Sequence, residues 1–321
     1  MERPKTLLQA IQYFSDEQVC IDAVAAMRWP QGVVCAACGA DKPYYLKAAK
    51  RWKCRECRGQ FSVKVNSIFE DSPISLTKWL PALWLLVNCK NGVSSYEVAR
   101  DLAITQKSAW FVLHRLRLAL RARDFGKLGG SGPVEMDETY VGGKVKNMHK
   151  AKLKRLKFGN VGWQGGRGKA VVMGMLERGG QVRAMTIEDR RKRSIDPVVT
   201  ANVEAGSHII TDEADVYKHL TAAYYHEVIN HMEGYVRDHV YTNGIENFWS
   251  LLKRGLNGTY VNVEPYHLQA YVEEQVFRFN NRATKDNPLD DADRFLLALS
   301  QVANRRLTYA ELTGKVTETQ A

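Results

Sequence analysis

The sequence, 321 residues long, predicts a multidomain α+β protein, and three observations carry that prediction. Two C-x-x-C pairs lie near the N-terminus, and a pair of amphipathic helical stretches joined by a short turn follows. Beyond the glycine-rich segment Gly126–Pro133 the apolar pattern changes from helical to strand-like. A chain of this length holds two or three domains at about 100–200 residues each. The divisions fall at residues 1–70 (an N-terminal helix and a cysteine module), 71–125 (the helical pair) and 126–321 (a mixed α/β domain with closing helices). A hydrophobic content of 45% is enough for globular cores and excludes a disordered chain.

Four of the six cysteines form the knuckles Cys35–Cys38 and Cys54–Cys57, with fifteen residues between them. That spacing is the signature of a four-cysteine zinc ribbon, because each knuckle turns two thiolates toward one metal and two knuckles close a tetrahedron. A disulfide or redox pair is the competing use. The N-terminus "MERPKTLLQA" has no apolar signal-peptide core to support the first, and no βαβ pattern supports the second. The zinc would be structural. Cys20 and Cys89 sit in apolar helical stretches and read as small core residues. Tyr44, Tyr45, Lys47, Lys50, Arg51, Trp52 and Lys53 lie between the knuckles. Aromatics among cations suit a nucleic-acid surface, and they equally suit the packing of short ribbon strands.

Leu76–Val87 reads as an apolar helix with Ser75 at its N-cap. A short helix ending at Val98 and Leu102 comes next, "AIT" makes a turn, and Gln106–Leu120 carries Trp110, Leu113, Leu116 and Leu120 on one face. This is the outline of a helix-turn-helix, with Gln106, Lys107 and Ser108 at the end that would read bases.

In the third region, Val134 and Met136 alternate with Glu135 and Asp137, as in a strand with one polar face. Ala170–Leu176 and Gln181–Ile187 form a hairpin across "ERGG", a short helix is expected around Pro197–Ala205, and His208–Thr211 is a strand ending at Asp212. A strongly amphipathic helix then opens with "NGIENFWSLLKRG". Ile245, Phe248, Trp249, Leu252 and Leu256 form its apolar face, and Glu246, Ser250, Lys253 and Asn257 the adjacent stripe. Glu246 has two readings at this stage. It can close a capping box with Asn243 as N-cap, or it can join Asp137 and Asp212 as hard oxygen ligands for divalent ions.

The net charge of +11 points to a polyanionic partner. Between Lys144 and Lys169 lie nine Lys or Arg residues and no acid, which suits phosphate-backbone contact and also an ordinary solvated face. The longest apolar run, around Trp79–Val87, is far too short to span a bilayer. A soluble, cytoplasmic protein without a membrane partner is expected. "GWQGGRGKA" fails as a phosphate loop, since its first Gly is misplaced and Ala170 replaces the required Ser or Thr.

The stretches "RWPQGVVCAACG", "WKCRECRGQFSV", "SIFEDSPISLTKW", "VEMDETYVGGK", "YTNGIENFWSLLKRGLNGTY" and "FRFNNR" together resemble the bacterial insertion-sequence transposases of the DDE, ribonuclease H-like superfamily, in the branch with an N-terminal zinc ribbon. The resemblance covers nearly the whole chain, and its last three stretches are the specific ones. It implies a ribonuclease H-like catalytic domain over 126–321. It also implies Asp137, Asp212 and Glu246 as ligands of catalytic Mg²⁺ or Mn²⁺, and Lys253 as a further active-site residue. Some branches place Asn third, which keeps Asn243 beside Glu246 as an alternative. The implied activity is metal-dependent DNA cleavage and strand transfer on double-stranded transposon ends and target, by a homo-oligomer assembled on DNA. The competing functions are a DNA-binding regulator of transposase descent without catalysis, and a nuclease of the same fold without strand transfer.

Overall fold

The computed structural model describes residues 4–121, 126–142, 169–212, 215–229, 242–285 and 287–315. The basic run Lys144–Lys169 therefore lies outside the described residues, apart from Lys169 itself. The chain is mixed α/β and divides into two compact units, residues 1–121 with 281–321, and residues 122–280.

The first unit opens with α1 (Leu7–Tyr13) and α2 (Glu17–Arg28). Thr6 and Gln9 close a capping box on α1, and the Asp16 carboxylate accepts the Gln18 amide at the start of α2. The cysteine module is a three-stranded antiparallel sheet of β1 (Tyr44–Leu46), β2 (Arg51–Lys53) and β3 (Gln60–Phe61). Register sets Tyr45 opposite Trp52 and Trp52 opposite Phe61, and Trp29 packs edge-on against Trp52 and Phe61, with centroid distances across the cluster of 4.8–6.1 Å. So small a sheet has few other apolar groups, and Tyr45, Trp52 and Phe61 are spent on its own core while Tyr44 is exposed.

Helix α3 (Leu76–Asn88) buries residues all round its circumference and is the centre of this unit. Ser75 is its N-cap residue as expected, though its hydroxyl bonds Thr77 Oγ1 at 2.6 Å and makes no cap to the backbone. Helix α4 (Ser95–Asp101), a turn, and α5 (Gln106–Leu120) reproduce the expected helical pair. Ser94 with Glu97 closes a capping box on α4, and the Thr105 hydroxyl accepts the Ser108 amide on α5. Gln106 donates to Ser95 Oγ at 2.8 Å and Lys107 Nζ sits 4.7 Å over the Tyr309 ring.

After residue 280 the chain forms α9 (Asp291–Ser300) and the short α10 (Tyr309–Leu312), and here the compact units depart from the sequence division. Residues 281–315 do not stay with the preceding α/β region. Phe295 packs 5.3 Å from both Phe14 and Trp84, and backbone bonds join Ile68 to Val302 and Asn304 to Asn66. Helix α3 needs apolar cover on every side, and α9 supplies one side of it.

The second unit is a five-stranded sheet in the order β6-β5-β4-β7-β8: β4 (Val134–Val141), β5 (Ala170–Glu177), β6 (Val182–Ile187), β7 (His208–Asp212) and β8 (Tyr225–Ile229). β4, β5 and β6 pair antiparallel, while β7 and β8 run parallel to β4. β8 was not anticipated, because "YHEVI" alternates too weakly and Tyr225 and Val228 are exposed. Helix α6 (Lys192–Asn202) begins five residues before the expected Pro197. Asp189 takes the Arg191 amide and the Ser194 hydroxyl, turning the chain into the helix early, and Pro197 lies inside it.

One face of the sheet carries α7 (Asn243–Arg254) and α8 (Leu268–Asn280) over Val172, Leu176, Val182 and Ala184. The other carries α6 and the 3-10 segment Asp215–Ala222 over Val134, Met136, Met173, Met175 and Ile209. Asn280 bonds both the amide and the carbonyl of Val182, and Gln269 takes the Thr186 amide, so α8 covers the β6 edge.

Candidate functional site

Cys35, Cys38, Cys54 and Cys57 bring their sulfurs within 4.8 Å of one another. Cys35 and Cys57 are 3.6 Å apart, Cys38 and Cys54 3.7 Å, and none is in a disulfide. A tetrahedron with Zn–S bonds of 2.3 Å has sulfurs about 3.8 Å apart. The four thiols therefore fit zinc, and the backbone amides of Cys38 and Ala37 already bring the Cys35 thiol down to about 6.

The acidic residues lie on the α7 face of the second unit. On β4, Glu135, Asp137 and Thr139 point to this face, while Val134, Met136 and Glu138 point to the other. The parallel ladder pairs Val134 with Ile209 and Glu135 with Ile210, and Asp137 and Asp212 each lie two residues beyond the last of these pairs. Asp137 thus stands in the middle of β4 and Asp212 at the last residue of β7, on two adjacent parallel strands. Asp137 accepts the Glu138 amide at Oδ1 (2.7 Å) and the Trp249 indole N–H at Oδ2 (2.9 Å). Burial pushes its carboxyl above the ordinary range, and the nearby charge of Asp212 pushes the same way. Asp212 Oδ1 is buried with no hydrogen-bond partner among the described residues. An unpaired buried carboxylate oxygen beside a second carboxylate is a costly arrangement that a cation relieves.

Glu246 lies in the first turn of α7 and is exposed, as is Lys253 two turns on. The capping reading of Glu246 is not realised. The N-cap is Thr242, Asn243 is the first helical residue, and no side-chain cap bond forms. Among the described residues the Glu246 carboxylate takes a long contact, 3.4 Å, from the Thr242 hydroxyl. Among the described residues the cysteines are the group of three or more ligands within 4.8 Å, and Asp137, Asp212 and Glu246 do not close to that distance.

The expected polar face of β4 is not a wet one. Glu135 is 1% exposed beneath α7. Its Oε1 accepts Arg178 Nε at 2.8 Å and its Oε2 the Ile245 amide at 2.9 Å. Glu138, on the opposite face, takes the hydroxyl of the buried Tyr217 and pairs with Arg190 Nη2 at 2.9 Å. Burial raises the Glu138 carboxyl and raises Tyr217 further. Sequence reasoning passed over Glu135, Glu138, Arg190 and Tyr217. For Glu135 a signal existed, since it stands two residues before Asp137 and period two puts both on one face.

Two glycines seat the helix. A Cβ on Gly174, the cross-strand partner of Asp137, would come within 2.6 Å of the Trp249 ring and 2.8 Å of Ile245 Cδ1. One on Gly244 would come within 2.8 Å of Glu135 Oε2. Past α7 the helix continues as a π-helical turn, Gly255–Tyr260, and ends at Val261 with φ +59°. A β-branched residue rarely adopts that conformation.

Comparison with known proteins agrees with this two-part organisation. Residues 128–280 match the ISXO2-like transposase domain, and residues 15–60 match the transposase zinc-ribbon domain. An uncharacterized protein in the transposable element ISH50 of Halobacterium salinarum is 24% identical over 284 residues, 84% of this chain and 95% of its own length. An uncharacterized transposase-like protein of Haemophilus influenzae is 29% identical over 106 residues, 33% of this chain and 85% of its own. Residues 128–280 are thus an ISXO2-like transposase domain and residues 15–60 a transposase zinc-ribbon domain, and over 84% of its length the chain is similar to a protein of an insertion-sequence element.

Proposed function

We propose that the chain is a DDE transposase that binds the ends of its element and carries out divalent-metal-dependent cleavage and strand transfer of double-stranded DNA. The observation that supports this best is the pair Asp137 and Asp212, each two residues past the last ladder pair of adjacent parallel strands, one with a proton affinity raised by burial and the other with a buried oxygen that has no partner among the described residues. The sheet order β6-β5-β4-β7-β8, three antiparallel strands followed by two parallel ones, is the arrangement expected of a ribonuclease H-like domain.

Asp137, Asp212 and Glu246 are the residues that would hold Mg²⁺ or Mn²⁺, a donor set of hard oxygens. Such ions, when bound, activate water and then a freed 3′-hydroxyl, and stabilise the leaving oxygen. The protein's own part is positional. The Trp249 indole and the Glu138 amide each occupy one side of Asp137 and fix its carboxylate, leaving further lone pairs on both oxygens. Exposed Lys253, about 10 Å along the helix from Glu246, offers a cation to a DNA phosphate. The helical pair α4–α5 and the ribbon serve recognition of the ends, and multimerisation on paired ends follows from the family. A regulator without catalysis would have no use for the acids, and all three are present.

The test is Mg²⁺-dependent nicking, and joining to a target plasmid, of a labelled duplex made from the DNA flanking the coding region. Glu246→Gln should abolish both while preserving end binding and melting temperature. Full activity in that variant removes Glu246 from the site, and an inactive, stable Asn243→Ala brings Asn243 in. Cleavage without joining would leave a nuclease.

A further inference from the structure

Helix α7 begins without a local cap, and its first turn is instead held by a carboxylate from a strand 110 residues earlier in sequence. Glu135 is fully buried, and its two oxygens are divided between two donors, the Arg178 guanidinium and the Ile245 amide. One strand step of two residues further, Asp137 receives the indole of Trp249. The spacings match. Ile245 and Trp249 are one helical turn apart, about 6 Å of rise, and Glu135 and Asp137 are about 6.8 Å apart along a strand. Helix α7 therefore runs in the same direction as β4 and is pinned to it at two points. Gly244 and Gly174 remove the Cβ atoms that would hold the helix away at those points.

We propose that Glu135 is a positioning residue that sets the axial register of α7 on β4, and so places Glu246 relative to Asp137. This rests on the transposase reading above and concerns how that site is assembled. Glu246 follows Ile245 directly, so the amide that Glu135 holds is bonded to the residue before the ligand. The requirement is for a carboxylate of this length. Glutamine has one accepting oxygen and a donating NH₂, and between two donors it must turn a donor toward a donor. Aspartate is a methylene short of the helix.

The experiment uses the full chain, with Mn²⁺ as the probe. Binding is followed by the loss of the free-ion EPR signal, alongside end nicking resolved into kcat and KM, and melting in EDTA. Glu135→Gln should weaken Mn²⁺ binding and lower kcat by about 10- to 100-fold, the usual effect of losing a group that orients ligands. KM for DNA should stay within about twofold and the pH profile unchanged. In a Glu246→Gln background the same change should cost much less Mn²⁺ affinity, because it acts through the helix that carries Glu246. Gly244→Ala keeps every charge yet pushes the helix off the same carboxylate, and should move Mn²⁺ affinity in the same direction. If Glu135→Gln does not fold, this variant carries the test. Wild-type Mn²⁺ affinity and kcat in the folded variant, or an undiminished penalty in the Glu246→Gln background, would overturn the proposal alone. Wild-type protein that neither binds Mn²⁺ nor nicks DNA overturns the transposase reading and this proposal with it.

Discussion

Gly174→Ala tests the seating of α7 most directly. Gly174 has no positive φ, so an alanine there strains no backbone dihedral and should gain about 0.4–1 kcal/mol from a stiffer unfolded chain. Against that stands a methyl group 2.6 Å from two carbons of the Trp249 ring and 2.8 Å from Ile245 Cδ1. The ring is large, rigid and 3% exposed, with its N–H bonded to Asp137, so it cannot swing aside cheaply. Overpacking of this kind costs about 1–3 kcal/mol, leaving a net loss of about 1–2 kcal/mol. For a unit of this size that lowers the melting temperature by about 2–8 °C. The displaced helix also carries Glu246, so cleavage should fall by more than the folded fraction does. Thermal unfolding of the second unit, with end nicking measured well below the transition, reads both effects. Adding Trp249→Phe, which removes the ring carbons that clash, should recover part of the melting temperature but not the activity, because Asp137 loses its indole donor. A Gly174→Ala protein with wild-type melting and wild-type cleavage would refute the two-point seating of α7.

Three further outcomes are expected. Purified protein should hold one Zn²⁺ per chain by elemental analysis, and Cys54→Ser should lose it and weaken end binding while the second unit's unfolding transition stays in place. Neutralising Lys152, Lys154, Arg155 and Lys157 together should flatten the log–log salt dependence of DNA affinity by about 0.9 per lost phosphate contact, and an unchanged slope returns that run to an ordinary solvated face. At α4, bonds from the Ser94 amide and hydroxyl hold the Glu97 carboxyl below its ordinary value. A depressed folded-state value means stability that is complete above the unfolded value of about 4.3 and lost as pH falls through the folded one. Glu97→Gln should therefore flatten the melting-temperature profile below about pH 5, by a small amount because the group is partly solvated.

Most of the local structure of this protein was legible in its sequence. Residues Gln106–Leu120, the hairpin across "ERGG", and the strand ending at Asp212 follow from periodicity and turn chemistry alone, which act over a few residues. The cysteine spacing likewise determines a metal-shaped cluster, because each knuckle is a local turn. The Asp and Glu positions were legible as motif residues and by resemblance, without any view of their surroundings. Only the tertiary structure decided what depends on distant segments meeting. It took residues 281–315 into the first unit, because α3 needed cover from Phe295 that no pattern within 281–315 announces. It turned the polar side of β4 into a buried face, gave the start of α7 to Glu135 in place of Asn243, and assigned the Trp249 indole to Asp137. A local rule offers the nearest capping side chain. In the folded protein a buried carboxylate and a buried amide, each costly to leave unpaired, satisfied one another across 110 residues of chain.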